Sequence, residues 1–149
     1  MHCCRKLTLN RSALYVAMWI DSEDPVADPE ATWSHLEVRD GWVRPAGGED
    51  WQVLFMTTCM ETLIIADHTS LRRFYGNNLQ ETALPSLTGL EMRNRHEVQD
   101  RLAHATRNCT NAYAKGKRSF EVLGELNPDA LEEILENFKR TRCILTAKL

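Results

Sequence analysis

The chain has 149 residues, of which 43% are hydrophobic and 26% are charged. This length suits one ordinary domain, and the near-average composition excludes a disordered chain, a fibrous repeat and a small disulfide scaffold. The formal net charge of −3 also excludes a strongly basic overall balance. We therefore expect one folded domain over residues 1–149.

The N-terminal segment MHCCRKLTLN contains no apolar run as long as a secretory signal requires. Nowhere does the chain approach the run of about 18 apolar residues that spans a membrane. The five cysteines are odd in number and scattered, which favours reduced thiols over a disulfide framework or a zinc site. These features predict a cytoplasmic or nuclear protein that does not bind membranes.

Short apolar runs separated by turn-forming residues predict a β-rich first half, residues 1–84. The runs are ALYVAMWI, HLEVRDGWVR, WQVLFMTT, ETLIIAD and LRRFYGNN. Asp40-Gly41 favours a two-residue hairpin turn between two strands, because glycine accepts the positive φ that such turns need. Residues 51–66 also fit helical spacing, so helix and strand both stay open there, although β-branched and aromatic residues favour strands.

The second half, residues 85–149, has the patterns of helices. The TGLE motif is a capping box and Gly116 is a natural stop, which predicts a long helix over about 89–115. Asn127-Pro128-Asp129 combines a capping side chain, a proline and an acid, so it predicts the start of a second helix that runs to about residue 142 or beyond. The predicted fold is α+β, with a small antiparallel sheet from the first half packed against these two helices.

Charge is distributed in blocks along the chain. Residues 21–50 hold nine acids against two bases, a net of −7. Residues 91–118 hold seven bases against three acids, a net of +4, and residues 121–136 carry six acids and no base. In a folded chain, such blocks usually face one another or water, and only a contiguous basic surface would mark a nucleic-acid site.

A nucleic-acid interface is the alternative function that this distribution leaves open. In the LRRFY motif, Arg72 and Arg73 stand beside Phe74 and Tyr75, so arginines could pair with phosphates while aromatic rings stack on bases. The basic block 93–118 would extend this footprint. Its contributing residues are Arg93, Arg101, Arg107, Lys115, Lys117 and Arg118.

A metal site is a third hypothesis, because His96, Asp100 and His104 recur every four residues. At about 100° per residue they share one helix face, but it lies opposite the apolar seam of the same helix. Three such ligands also span about 12 Å along the axis, too far for one ion without a second element. A solvated charged face is favoured over a metal-dependent enzyme. The adjacent Asp67, His68 and Ser70 are better interpreted as a polar turn than as a catalytic triad, so neither an enzyme nor a cofactor is expected.

The last helix supports a protein-interaction function instead. Its apolar residues fall within roughly a 100° arc; they are Leu131, Ile134, Leu135, Phe138, Leu145 and Leu149. This stripe continues past the part that a compact domain needs to cover its sheet, so Leu145 and Leu149 are expected to contact another chain, with the stem of Arg142 along the seam and its charge in water. The sequence therefore predicts a non-enzymatic subunit or adaptor that forms a homodimer or a heteromeric assembly.

Overall fold

The computed structural model describes residues 15–148, which adopt a mostly helical α+β fold with a small sheet. Within this range, two strands and seven α-helices follow one another, together with four short 3₁₀ helices. The elements are β1 (Met18–Asp21), α1 (Thr32–Asp40), β2 (Val53–Met56), α2 (Met60–Ala66), α3 (His68–Tyr75), α4 (Arg95–Thr106), α5 (Lys117–Leu123), α6 (Pro128–Ile134) and α7 (Glu136–Lys148). The predicted α+β class is therefore confirmed.

The two strands pair in parallel, with Met18 opposite Val53 and Asp21 opposite Met56. The prediction of an antiparallel sheet is wrong, because the chain between the strands is not a hairpin but a crossover that contains α1. Parallel neighbours need such a crossover, since the chain must return to the same end of the sheet before the second strand begins.

The predicted hairpin at Asp40-Gly41 is wrong as well, since this dipeptide ends α1. Gly41 has φ 70° and ψ 21°, the left-handed conformation common just after a helix. Its N–H donates to the carbonyl of Glu37 at 2.9 Å, and the N–H of Trp42 donates to that of Leu36 at 3.4 Å. A glycine with positive φ serves a hairpin turn and a helix end equally well, which is why the dipeptide alone was misleading.

The first half is more helical than its sequence pattern predicts. The sequence leaves helix and strand both open for residues 51–66, and both occur there: strand β2 is followed by helix α2. Every residue from Glu61 to Ala66 is buried, so this helix has no exposed polar face that would have supported its helical spacing over the β-forming composition. The LRRFY motif lies on α3 and not on a strand. Asp67 begins that helix, with Oδ1 accepting from the N–H of Ser70 at 2.9 Å.

The predicted long helix over 89–115 is shorter than expected. Helix α4 begins after Asn94, whose side chain accepts from the N–H of His96 at 2.8 Å, and it ends at Thr106. The Thr106 hydroxyl donates to the Leu102 carbonyl at 3.0 Å and accepts from the N–H of Tyr113 at 2.9 Å. These bonds hold the chain as it leaves the helix, so Gly116 does not end α4 and instead precedes α5.

The predicted second helix starts where expected but is broken. Asn127 caps α6 by accepting from the N–H of Asp129 at 3.0 Å, which confirms the predicted start. At Leu135 the backbone is extended, with φ −113° and ψ 108°. The Glu91 carboxylate then accepts from the N–H groups of Glu136 and Asn137 at 2.8 and 3.1 Å. Because a distant carboxylate supplies these acceptors, a new helix can begin there.

Residues 15–148 form two apolar clusters, and the sheet contributes to both. One lies between the sheet and α1 and includes Val53, Phe55 and Leu36. The larger one is built from the helices and reaches Met56 on the sheet, as expected when alternate strand residues face opposite sides. No helix in the described range is long and apolar enough to cross a membrane.

Three cysteines can be compared with the prediction of reduced thiols. Cys59 and Cys109 are free, as predicted, and are buried in the larger cluster. Cys143 on α7 is disulfide-bonded, which differs from the prediction. Burial raises the pKa of Cys59 to about 11, and the nearby Glu61 carboxylate adds to the rise. Neither free thiol is therefore placed as a nucleophile, because the thiolate is the reactive form.

Candidate interaction site

An apolar groove of about 510 Å³ lies between β1, the start of α6 and α7. We call it the α7 groove. Its lining residues are Trp19, Pro128, Phe138, Thr141, Arg142, Leu145 and Thr146. The groove thus contains two of the three residues that the sequence predicts for a partner interface, Arg142 and Leu145. The third, Leu149, lies outside the described residues.

Trp19 and Phe138 form one wall of the α7 groove. Their ring centroids are 6.5 Å apart and the rings are tilted by 46°. Met18 and Ile20 pack on the α1 side of the sheet, so strand alternation turns Trp19 to the opposite side, towards α7. Although it touches Phe138, Trp19 keeps 46% of its surface exposed. Such a large exposed ring is the kind of side chain on which binding energy in protein interfaces concentrates.

Arg142 closes one end of the groove. Its Nη1 donates to Asp129 Oδ1 at 2.6 Å and to Glu132 Oε2 at 2.8 Å. The hydrogen bond to Asp129 raises the pKa of the guanidinium, which therefore stays charged. The sequence predicted that this charge would lie in water, whereas it lies against two carboxylates of α6. Its side chain remains 42% exposed.

A second cavity of about 340 Å³ adjoins the groove and is lined by Asp129, Glu132, Glu133 and Lys139. We call Asp129, Glu132 and Glu133 the acidic rim. Two of the three carboxylates share Arg142, which also lines the groove. The groove and the acidic cavity are therefore parts of one surface, with Arg142 between them.

A buried polar cluster lies elsewhere, around Glu61 on α2. Glu61 is 2% exposed, accepts a hydrogen bond from the Tyr113 hydroxyl, and accepts another from Gln99 Nε2 at 3.2 Å. Burial alone would raise the pKa of Glu61, but hydrogen bonds from Tyr113, its own backbone, Cys59 and Gln99 lower it below its usual value. The sequence pattern gives no sign of a polar cluster at Glu61, because the residue stands inside an apolar run.

The Asp21 carboxylate lies near this cluster, at the carboxyl end of β1. It accepts a hydrogen bond from the backbone of Met60, while burial and the nearby Glu61 raise its pKa. Its Oδ1 atom is buried without a hydrogen-bond partner. Because Glu61 is enclosed and its oxygens are engaged within the protein, the cluster joins α2 to α4 and to the Tyr113 segment and offers no open carboxylate to a substrate.

The residues of the metal hypothesis are all on the outside of α4. His96, Asp100 and His104 are exposed, as expected of a solvated face. Within residues 15–148, no group of three or more His, Cys, Asp or Glu side chains could hold a metal ion. The His96, Asp100 and His104 side chains thus offer no built metal site.

The LRRFY residues of the nucleic-acid hypothesis are partly engaged. Arg72 makes a bidentate contact with Glu81 at 2.5 and 2.6 Å, and Arg73 donates to the Glu125 carbonyl at 2.7 Å. Tyr75 is 6% exposed and packs edge-on against the half-buried Phe74, with centroids 5.0 Å apart. Tyr75 therefore has no open face on which a base could stack.

Some side chains of the basic block are engaged within the protein and others are exposed. Arg93 contacts Glu97 at 2.9 Å, and Arg118 donates to the Ala112 carbonyl at 3.0 Å. The side chains of three further bases are exposed, namely Arg101, Arg107 and Lys115. Lys117 is the first residue of α5. Binding of nucleic acid stays a prediction.

Comparison with known protein families, with curated proteins and with solved structures finds no match.

Proposed function

We propose that the protein is a non-enzymatic interaction module that binds a segment of another protein chain in the α7 groove, as a subunit or adaptor of an assembly. The observation that carries this proposal is the groove itself, where Trp19, Phe138 and Leu145 leave apolar surface uncovered. Burial of such surface by a partner is favourable, at about 25 cal/mol per Å² before the costs of association.

The composition of the groove favours a protein partner over a small molecule. Small-molecule sites combine apolar walls with a few converging polar groups. Among the described residues that line the groove, Arg142 alone is charged, and it is already bonded to Asp129 and Glu132. Thr141 is 3% exposed. Tryptophan and arginine beside large apolar residues are instead typical of the centre of a protein interface.

The acidic rim favours a different protein over a second copy. In a symmetric dimer, the same patch meets itself across the twofold axis. Two copies joined through the α7 groove would place both rims, Asp129, Glu132 and Glu133 of each protomer, at the same interface. Like charges brought together in an interface oppose association. The occupant is therefore a chain of different sequence.

Leu145→Asp tests the proposal, with Val38→Asp as the matched control. Val38 is 90% exposed on α1, a helix that packs on the other face of the sheet from Trp19. The wild type and each variant are purified from extract of the source cells together with whatever they bind. The same partner protein should be recovered with the wild type and the control but not with Leu145→Asp. The complex should then reform from the two purified chains in a fixed ratio, and both variants should melt near the wild-type temperature.

Trp19→Ala should weaken the reconstituted complex by about tenfold or more, since truncation of an interface hot spot costs about 2 kcal/mol or more. Light scattering on the isolated wild type should show a monomer. If the wild type is instead a dimer and Leu145→Asp dissociates it, the occupant of the groove is a second copy of this chain and not a different protein. Equal recovery by wild type and Leu145→Asp, or recovery of nothing by any of the three chains, would contradict the proposal.

A further inference from the structure

The charge beside the α7 groove indicates what kind of segment would fit it. The acidic rim stands on α6, within residues 121–136, which contain six acids and no base. Lys139 and Arg142 are the bases that line the two cavities. Three rim carboxylates therefore face two cations, and the rim keeps a net negative charge.

The ion pairs of Arg142 leave the rim accessible. Asp129 and Glu132 share its single Nη1 atom, and their side chains are 76% and 37% exposed. Glu133 is also exposed. An exposed ion pair of this kind contributes only about 0–1 kcal/mol. A cation from a partner can therefore replace Arg142 at these carboxylates at little cost.

We propose, on the basis of the proposed function, that the segment bound in the α7 groove is a cationic amphipathic helix. Its apolar side chains cover Trp19, Phe138 and Leu145, and a lysine or arginine one or two turns along enters the acidic cavity. There it pairs with Asp129 or Glu132, and Arg142 is displaced towards solvent. Helix-in-groove recognition uses apolar residues at such spacings.

This arrangement also explains how the groove would discriminate between partners. An apolar groove alone accepts any amphipathic helix of suitable size. The acidic rim adds an attraction for basic helices, which raises their rate of association, and a repulsion of acidic ones. Specificity then depends on the charge of the segment that flanks the apolar face, so it should weaken as salt screens that charge.

Two fluorescent peptides of about 16 residues provide the probes. They share one face of leucine and phenylalanine, and their flanking positions carry lysine in one peptide and glutamate in the other. Fluorescence anisotropy should show the lysine peptide binding the wild type about tenfold more tightly or better. This preference should shrink when salt is raised from about 50 to about 300 mM.

Variants of the protein connect this preference to the rim. Asp129→Asn/Glu132→Gln removes both carboxylates that are proposed to pair with the cation. It should reduce the preference for lysine by about tenfold and leave binding of the glutamate peptide no weaker. Glu37→Gln is the control, since Glu37 is an exposed acid on α1 and its replacement should leave the preference unchanged. Leu145→Asp should weaken binding of both peptides.

The possible results distinguish the proposal of a cationic segment from the proposal that the α7 groove binds a partner. If both peptides bind equally well, or if the rim variant keeps the full preference, the cationic partner is overturned while Leu145-dependent binding still supports the groove. If neither peptide binds, or if Leu145→Asp changes nothing, both proposals fail at this site. A preference lost equally in Glu37→Gln reports general attraction to an acidic protein and overturns the assignment to the rim.

Discussion

Glu61 and the acidic rim carry the same chemical group, a carboxylate, but that of Glu61 is buried and those of the rim are open to solvent. Glu61 is 2% exposed, and its oxygens accept from Tyr113 and Gln99. The Asp129 side chain is 76% exposed and shares Arg142 with Glu132. A carboxylate whose acceptor capacity is used inside the protein stabilises the fold, whereas one solvated by water can exchange its partners. Accessibility, and not charge alone, distinguishes a binding surface from a structural centre.

The largest expected effect comes from breaking the buried centre. Glu61→Ala should lower the free energy of unfolding by about 3 kcal/mol, because it leaves the Tyr113 hydroxyl and the Gln99 amide unpaired and opens a cavity. Glu132→Ala, on the rim, should cost at most about 1 kcal/mol. Urea denaturation of both variants measures the difference, and equal losses would remove the distinction between the two regions.

A second buried carboxylate should follow Glu61 closely. Asp67 is 3% exposed; its Oδ1 accepts from the N–H of Ser70 and its Oδ2 from that of Asn127, both at 2.9 Å. Asp67→Ala removes caps from α3 and from the segment before α6, so it should cost about 2 kcal/mol. Asp67→Asn keeps one acceptor and should cost about half as much. If Asp67→Ala and Asp67→Asn unfold at the same urea concentration, the one acceptor that asparagine keeps contributes nothing to stability.

Acid should weaken the buried centre in a way that depends on Glu61. Because hydrogen bonds depress the pKa of Glu61 in the fold, its contribution is present above about pH 4.3, the unfolded value, and is lost as pH falls through the lower folded value. Asp21 has a raised pKa and acts in the opposite direction, so both chains compared should carry Asp21→Asn.

In that background, the chain with Glu61 should lose more stability between pH 5 and pH 2 than the chain with Glu61→Gln. Thermal melts followed by circular dichroism across this range provide the measurement. Parallel curves for the two chains would mean that Glu61 titrates alike in the folded and unfolded states.

The smallest effect is expected on the rim. Arg142→Gln breaks exposed ion pairs with Asp129 and Glu132, so it should change the free energy of unfolding by less than about 1 kcal/mol, and by less still in high salt. A loss as large as that of Glu61→Ala would show that the Arg142 contacts hold the α6–α7 corner together, and a partner's cation could not then replace them cheaply.

Local signals in the sequence predicted the features that depend on a few neighbouring residues. The start of α6 at Asn127-Pro128-Asp129 is one, because its cap is made within three residues. The end of α1 was misread, since a glycine with positive φ fits a hairpin and a helix end alike. Strand was favoured over helix for the residues of α2, because a helix buried on all sides shows no alternation between an apolar and a polar face.

The parts that the sequence did not reveal depend on contacts between distant residues. The break at Leu135 depends on Glu91, 45 positions before Glu136, and the centre at Glu61 depends on Tyr113, 52 positions away. The α7 groove was predicted in part. The apolar stripe identified Leu145 and Arg142, but Trp19 was not predicted, because only the parallel sheet brings β1 and its Trp19 against Phe138.

The role of Glu91 at the start of α7 has a consequence for how this protein can be divided. Its carboxylate holds the first two N–H groups of α7, so one wall of the α7 groove is positioned by the segment that precedes α4. A peptide that carries only α6 and α7 lacks this clamp, and nothing in its own sequence prevents the two helices from merging into one. The shape of the α7 groove therefore depends on residues outside the C-terminal third of the chain.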